Sequence, residues 1–93
     1  MVTSADEVRA IFNSTILPAV AEGRVRFRVL DETEPSERSN QPRGTVSQTL
    51  GYFVGDQMVA RAHRFLLKDE SVSASGLPDP KWVVFEGTIL IAE

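Results

Sequence analysis

The chain has 93 residues, 42% of them hydrophobic and 25% charged, which is the size and composition of one globular domain. It contains no cysteine, which excludes disulfides, thiolate metal sites and cysteine nucleophiles. The net charge of −3 gives no overall attraction to nucleic acid. No apolar run approaches the ~18 residues of a membrane span, and the first twelve residues lack the basic-then-apolar order of a signal peptide. We therefore expect a single cytoplasmic domain over residues 1–93, with no membrane partner.

The first predicted element is a helix that begins at Ser4. Ser4 and Glu7 have the spacing of a capping box, in which Ser4 caps the first turn and Glu7 reaches back to the Ser4 amide. Apolar residues then recur at helical spacing, namely Val8, Ile11, Phe12 and Ile16. Pro18 predicts either a kink or a second short helical turn, and Gly23 is a typical residue to end it.

The apolar period changes to two from Arg24 onward, which predicts a half-buried strand. The apolar residues Val25, Phe27 and Val29 alternate there with three arginines, Arg24, Arg26 and Arg28. Guanidinium groups in a row on one strand face can bind carboxylates or phosphates, so these arginines are the candidate partner-binding residues. The alternative is a solvated face whose charge is balanced by the acids at positions 31, 32, 34 and 37.

Residues 31–44 have no apolar period and are rich in proline, serine and acidic residues, which predicts a mobile polar surface loop. The second half of the chain is rich in strand signals. Thr45 to Val54 is β-prone, and Gly55-Asp56 predicts a tight turn into residues 57–67. Those residues favour a strand, although Met58, Val59, Ala62, Phe65 and Leu66 also fit one face of a helix.

Lys68 to Pro80 is predicted as turn and loop, and residues 82–91 as an apolar β-hairpin with Glu86-Gly87 at its tip. Trp82, Phe85 and Tyr52 are large enough that we expect them to fill the core rather than form a contact patch. The predicted fold class is therefore α+β. It has an N-terminal helix packed on a curved antiparallel sheet of about four or five strands.

The segment from His63 to Lys81 resembles a pattern of an uncharacterised family of small bacterial and phage proteins, H-x-[YF]-L-x-x-D-G-[ST]-x-x-x-S-G-x-P-D-P-K. The matching residues are His63, Phe65, Leu66, Asp69, Ser71, Ser75, Gly76, Pro78, Asp79, Pro80 and Lys81. Glu70 stands where that pattern has glycine, and the resemblance covers 19 of 93 residues. It implies no activity. It does imply that His63 and the segment that ends in Lys81 form one structural unit.

His63 is the one histidine, and two roles are open to it. In the first it is a structural residue that holds the following loop against the sheet by a hydrogen bond. In the second it is a general acid or base, since the pKa of histidine lies nearest neutrality, and it acts with Arg61 and with Asp79 or Lys81. Asp79, between two prolines, fits a stiff turn better than catalysis.

The sequence contains no cofactor motif, no metal-ligand spacing and no catalytic triad, so no cofactor or metal is expected. The favoured function is a non-enzymatic binding protein that docks onto another macromolecule, a protein rather than a nucleic acid. The resemblance suggests a phage or mobile-element antagonist of a host system. One alternative is a small nuclease-like enzyme or toxin that uses His63, Arg61, Asp79 and Lys81. Another is a structural subunit that adds a sheet edge to an assembly.

Overall fold

The computed structural model describes residues 1–73 and 76–93, and it shows one N-terminal helical region packed on a six-stranded sheet. The strands are β1 (Val2–Thr3), β2 (Arg26–Thr33), β3 (Val46–Val54), β4 (Gln57–Leu66), β5 (Asp79–Phe85) and β6 (Thr88–Ala92). The α+β class is confirmed, but the expected four or five strands are wrong. The sixth strand, β1, has two residues and therefore carries no apolar period. None of the described helices has the length and apolar character needed to cross a membrane.

The helical region consists of α1 (Ala5–Ile11), a π-helical stretch (Phe12–Ile16) and α2 (Leu17–Ala21). Its start is as predicted, because the Ser4 hydroxyl accepts a hydrogen bond from the Glu7 amide at 3.1 Å. The Glu7 carboxylate, however, accepts a hydrogen bond from the Thr3 hydroxyl, so only the serine half of the capping box is seen as predicted. Thr3 lies in β1, and the helix start is therefore tied to the sheet.

Pro18 lies in the first turn of α2, the second short helical segment that was one of its two predicted outcomes. The wider π turn precedes it, and there the Leu17 amide donates to the Phe12 carbonyl, five residues back. Because proline has no amide hydrogen, such a bulge is a common way to keep a helix continuous around it. The region ends as expected at Gly23, with φ +80°. The amides of Gly23 and Arg24 donate to the carbonyls of Val20 and Ala19, which is the Schellman pattern.

The strand order is β1-β6-β5-β4-β3-β2, and among the strands of the described residues only the β1–β6 pair is parallel. The sheet is therefore mixed, and the predicted fully antiparallel sheet is wrong at this edge. Residues 57–66 form a strand, which excludes the helical alternative for that segment. The hairpin of β5 and β6 is also as predicted, and Glu86 and Gly87 both have positive φ, as a type I′ turn requires.

The core lies between the helical region and one face of the sheet. Val8 and Phe12 of the helical region are fully buried, as are Leu50 and Val83 of the sheet. The Phe12 and Tyr52 rings meet edge to face with their centroids 5.1 Å apart. Of the three large aromatics expected in the core, only Tyr52 lies there. Phe85 is 36% exposed, and Trp82 is half-buried on the opposite face of the sheet.

Strand β2 is not half-buried, because all eight of its residues are exposed. It lies at the edge of the sheet, and α1 packs over β5 and β6 at the other side. Val25, which is buried, comes before the strand begins. The strand also extends to Thr33, so the first three residues of the predicted 31–44 loop are in the sheet. A 3-10 turn, Glu37–Ser39, lies within the remainder, whose mobility stays a prediction.

Candidate binding face of the sheet

The face of the sheet that points away from the helical region is called the open face below. Residues that lie opposite each other on neighbouring strands share a face. By this rule one continuous row of residues runs across β2 to β6. Its members, in strand order, are Arg28, Gly51, Arg61, Trp82 and Ile91. This row, named the central row, places two guanidinium groups beside two large apolar side chains. Its five members come from five different strands, so only the strand register reveals it.

Gly51 gives the central row its shape because it has no side chain in the middle of the sheet. A Cβ atom at this position would lie 2.8 Å from Cε1 of Phe53 and 3.0 Å from Cδ1 of Leu30. These two apolar side chains therefore occupy the space above Gly51. The guanidinium carbon of Arg28 lies 4.4 Å from the centroid of the Phe53 ring, in a cation–π contact that orients Arg28.

Three arginines of the open face are not held in salt bridges by any described residue. Among the residues that the structure describes, Arg26, Arg28 and Arg61 form no ion pair. Arg24, predicted to be in the same row, precedes β2, and its guanidinium pairs with Glu22 at 2.8 Å. The predicted stripe of three arginines is therefore reduced to Arg26 and Arg28. Arg61, which the sequence suggested only for a catalytic role, lies in the central row with Arg28.

His63 lies next to the central row, two residues after Arg61 on β4. Its Nε2 atom is 2.6 Å from the Ser47 hydroxyl on β3, and its ring meets Phe65 edge to face at 4.6 Å. Within the described part of the chain, its hydrogen bond therefore goes to a neighbouring strand and not to the loop after β4, which corrects the expected partner. Burial, and secondarily the charge of Lys81, lower the pKa of His63 despite the opposing charge of Asp79. The imidazole is consequently neutral at neutral pH.

Asp79 is the residue of β5 that lies opposite His63. Its carboxylate accepts from Lys81 at 2.8 Å and pairs with Arg9 of α1 at 3.3 Å. Although burial alone would raise the pKa of Asp79, these two cations hold it below its usual range. Asp79 therefore joins the helix to the first residues of β5, which agrees with a structural role in its Pro-Asp-Pro turn.

A shallow depression of about 590 Å³ opens on this face beside the central row. It is lined by Thr49, Arg61, Ala62, His63, Lys81 and Trp82. The depression is thus lined by three of the four residues proposed for an enzyme, namely His63, Arg61 and Lys81. The fourth, Asp79, contacts the lining through its hydrogen bond from Lys81. The lining is cationic because Arg61 has no acidic partner among the described residues. An anionic group is the ligand that this depression favours.

The close Ser47–His63 pair has the atoms of a nucleophile and a base, but its surroundings do not fit acyl transfer. Ser47 lies within β3, between Thr33 of β2 and Phe65 of β4, so its backbone belongs to the sheet ladder rather than to an oxyanion hole. In the described ranges, 1–73 and 76–93, no three His, Asp or Glu side chains are grouped to hold a metal ion. The arrangement is therefore better suited to binding an anion than to activating a nucleophile.

The segment between β4 and β5 contains five of the eleven residues of the resemblance. Glu70, where the resembled pattern has glycine, has φ +70°, a conformation that glycine adopts most readily. Asp69 accepts hydrogen bonds from both the amide and the hydroxyl of Ser71, which lower its pKa. Ser75, another of the resembling positions, lies outside the described residues.

Comparison with known proteins adds no relative, because no family model, curated protein or solved structure matches the chain.

Proposed function

We propose that this domain is a binding protein whose open face receives an acidic segment of a partner protein. The observation that carries the proposal is the central row. In it Arg28 and Arg61 have no ion pair among the described residues and lie beside the apolar side chains of Trp82 and Ile91. An unbalanced pair of guanidinium groups is complementary to carboxylates.

The apolar part of the open face supports a protein partner. Ile91 is 43% exposed, and Ile89, on the same face, is 50% exposed. Val2 of β1, opposite Ile91, extends this apolar area to the edge of the sheet and is 63% exposed. Tryptophan and arginine are the residue types that contribute most to protein interfaces. A partner segment with acidic residues at one end and apolar residues at the other would match both halves of the face.

A single-stranded nucleic acid fits this face less well. Binding of that kind relies on aromatic rings whose flat faces are free to stack on bases. Arg28 already covers the Phe53 ring, at 4.4 Å. The net charge of −3 adds long-range repulsion of a polyanion, whereas a short acidic peptide segment senses mainly the local arginines.

An enzymatic role for His63 has less support than binding. Its Nε2 atom is engaged by Ser47, and the carboxylate opposite it, Asp79, is shared between Lys81 and Arg9. These contacts join β3, β4, β5 and α1 at the border of the depression. We infer that His63 supports the shape of the depression, while Arg61 and Lys81 supply the charge that binds the ligand.

The test is a binding experiment with a charge reversal in the central row. The tagged chain is incubated with nuclease-treated extract of its native cell, and retained proteins are identified by mass spectrometry. Each retained protein is then purified and its Kd measured against wild type and Arg61→Glu. We expect Arg61→Glu to raise the Kd at least about tenfold, because its carboxylate repels the acidic segment. We also expect the wild-type Kd to increase with salt.

The matched control is Arg38→Glu, which makes the same charge change in the 3-10 turn Glu37–Ser39, outside the sheet. It should leave the Kd within about twofold, as rim or remote charges usually do. Equal Kd values for wild type and Arg61→Glu would contradict the proposal. The proposal would also be contradicted if the chain bound single-stranded oligonucleotides and retained proteins only from extract that had not been treated with nuclease.

A further inference from the structure

The free edge of the sheet has a charge pattern that is complementary to itself. Strand β2 is the last strand of the sheet, and within residues 1–73 and 76–93 its one neighbour is β3. Its first half carries Arg26 and Arg28, and its second half carries Asp31 and Glu32. When two copies of such a strand pair antiparallel, the basic half of each faces the acidic half of the other.

A β-bulge allows Arg28 and Asp31 of two copies to meet on one face in this pairing. Val29 lies opposite Leu50 and Asp31 lies opposite Thr49, the adjacent residue, so Leu30 is an extra residue in β2. As a result Arg28 and Asp31 both point to the open face, although they are three residues apart. In a regular strand residues three apart point to opposite faces, and Arg28 and Asp31 could not meet across a two-fold axis.

We propose that the chain forms a homodimer by antiparallel pairing of β2 with β2 of a second copy. A two-fold axis between Val29 and Leu30 places Arg28 of each copy opposite Asp31 of the other, and both pairs lie on the open face. The same register sets Arg26 opposite Thr33 on that face. Such a self-complementary contact is the usual type of two-fold interface.

The apolar residues of β2 supply the centre of this interface. Phe27 and Val29, on the face of the helical region, are 45% and 43% exposed. Leu30, which lies over Gly51 on the open face, is 38% exposed, so apolar surface borders the proposed axis on both faces. Charges on an edge strand ordinarily prevent pairing with other strands, most strongly when all have one sign. Here the two signs are separated along the strand, so a parallel copy is repelled and an antiparallel copy is attracted. The dimer also sets two open faces side by side, but it does not depend on what they bind.

The test is the mass of the full chain in solution, measured by sedimentation equilibrium from micromolar to millimolar concentration. We expect the mean mass to double with concentration from the 10.3 kDa of one chain. Arg28→Asp and Asp31→Arg should each remain monomeric where the wild type is dimeric, because each places like charges opposite each other. Mixed in equal amounts, the two variants should form a heterodimer, since that pairing restores both opposite-charge contacts.

The double variant Arg28→Asp/Asp31→Arg should dimerise again with itself, which separates lost pairing from lost folding. Glu93→Lys, a charge change after β6 at the opposite side of the sheet from β2, is the control and should dimerise like the wild type. A wild-type mass that stays at 10.3 kDa throughout would overturn the proposal. It would equally be overturned if either single variant dimerised like the wild type, or if mixing the variants left both monomeric.

Discussion

The Nε2 atom of His63 lies 2.6 Å from the Ser47 hydroxyl, diagonally across the β3–β4 ladder. The contact joins two central strands next to the depression of the open face. Both groups are partly buried, so removal of one leaves the other without its partner. This relationship determines what a change at the one histidine should do.

We expect His63→Ala to lower the free energy of unfolding by about 1–3 kcal/mol, the usual cost of an unsatisfied partner in a buried pair. The measurement is urea denaturation followed by circular dichroism. Ser47→Ala should cost a similar amount, and the double variant should cost less than the sum of the two, because they remove one shared contact. Strictly additive losses would show that the pair contributes no coupling energy.

The lowered pKa of His63 predicts a pH dependence of stability. Because burial disfavours the imidazolium in the folded state, the unfolded chain binds more protons below the ordinary histidine pKa of 6.5. Stability should therefore be complete above about pH 6.5 and fall as the pH drops through the lowered folded pKa. His63→Gln should lack this decline. It should still lose stability at more acidic pH, where Asp79 and Asp69, whose pKa values are also lowered, become protonated. An NMR titration of the single imidazole measures the folded pKa, and a value above 6.5 would contradict the direction.

Gly51→Ala should destabilise the domain by about 1 kcal/mol or more, through overpacking. Glycine to alanine within a strand is ordinarily stabilising, so a loss is diagnostic of the close approach of Phe53 and Leu30. Phe53→Ala removes the nearer of the two contacts. In the Phe53→Ala background, Gly51→Ala should therefore lower the free energy of unfolding clearly less. Thermal unfolding of the wild type, the two single variants and the double variant measures this difference. An equal cost in both backgrounds would mean that Phe53 does not cause the loss.

The elements with a strong local signal were predictable from the sequence, and those that depend on register were not. Ser4, Gly23 and the Glu86-Gly87 turn each act within a few residues, and the structure has them as expected. The apolar alternation of β2 correctly predicted a strand, but not its burial. The strand is exposed because the helical region packs on β5 and β6 instead. The central row needs four strand pairings at once, and three of these carry bulges that shift the register by one residue. A bulge leaves no mark on apolar periodicity that a single sequence reveals.

The start of the helical region offers a prediction with a control close by. Ser4→Ala should lower the free energy of unfolding by about 1 kcal/mol, since the Glu7 amide loses its acceptor. Ser14→Ala removes a hydroxyl of the same type that bonds to the Ile11 carbonyl within the helix. That change should be nearly neutral, because alanine has the higher helix propensity. Urea midpoints of the two variants compare them directly, and equal midpoints would show that the cap adds nothing.

The hairpin turn of β5 and β6 should become more stable when Glu86 is replaced by asparagine. Glu86 has φ +51° and Gly87 has φ +78°, the two positive angles of a type I′ turn. Asparagine tolerates this left-handed conformation better than glutamate does, and Asn-Gly is the preferred pair for the turn. We expect Glu86→Asn to raise the free energy of unfolding by about 0.5–1 kcal/mol, measured by thermal and urea unfolding.

The control for Glu86→Asn is Asp56→Asn in the other hairpin turn. It makes the same change from a carboxylate to an amide. In that turn, however, Gly55 has the positive φ and Asp56 does not. Since Asp56 gains no backbone relief, its substitution should change stability by no more than a few tenths of a kcal/mol, as surface substitutions usually do. A similar gain from both variants would assign the effect to the removed negative charge, in a chain of net charge −3. A gain at Glu86 alone would assign it to the backbone conformation.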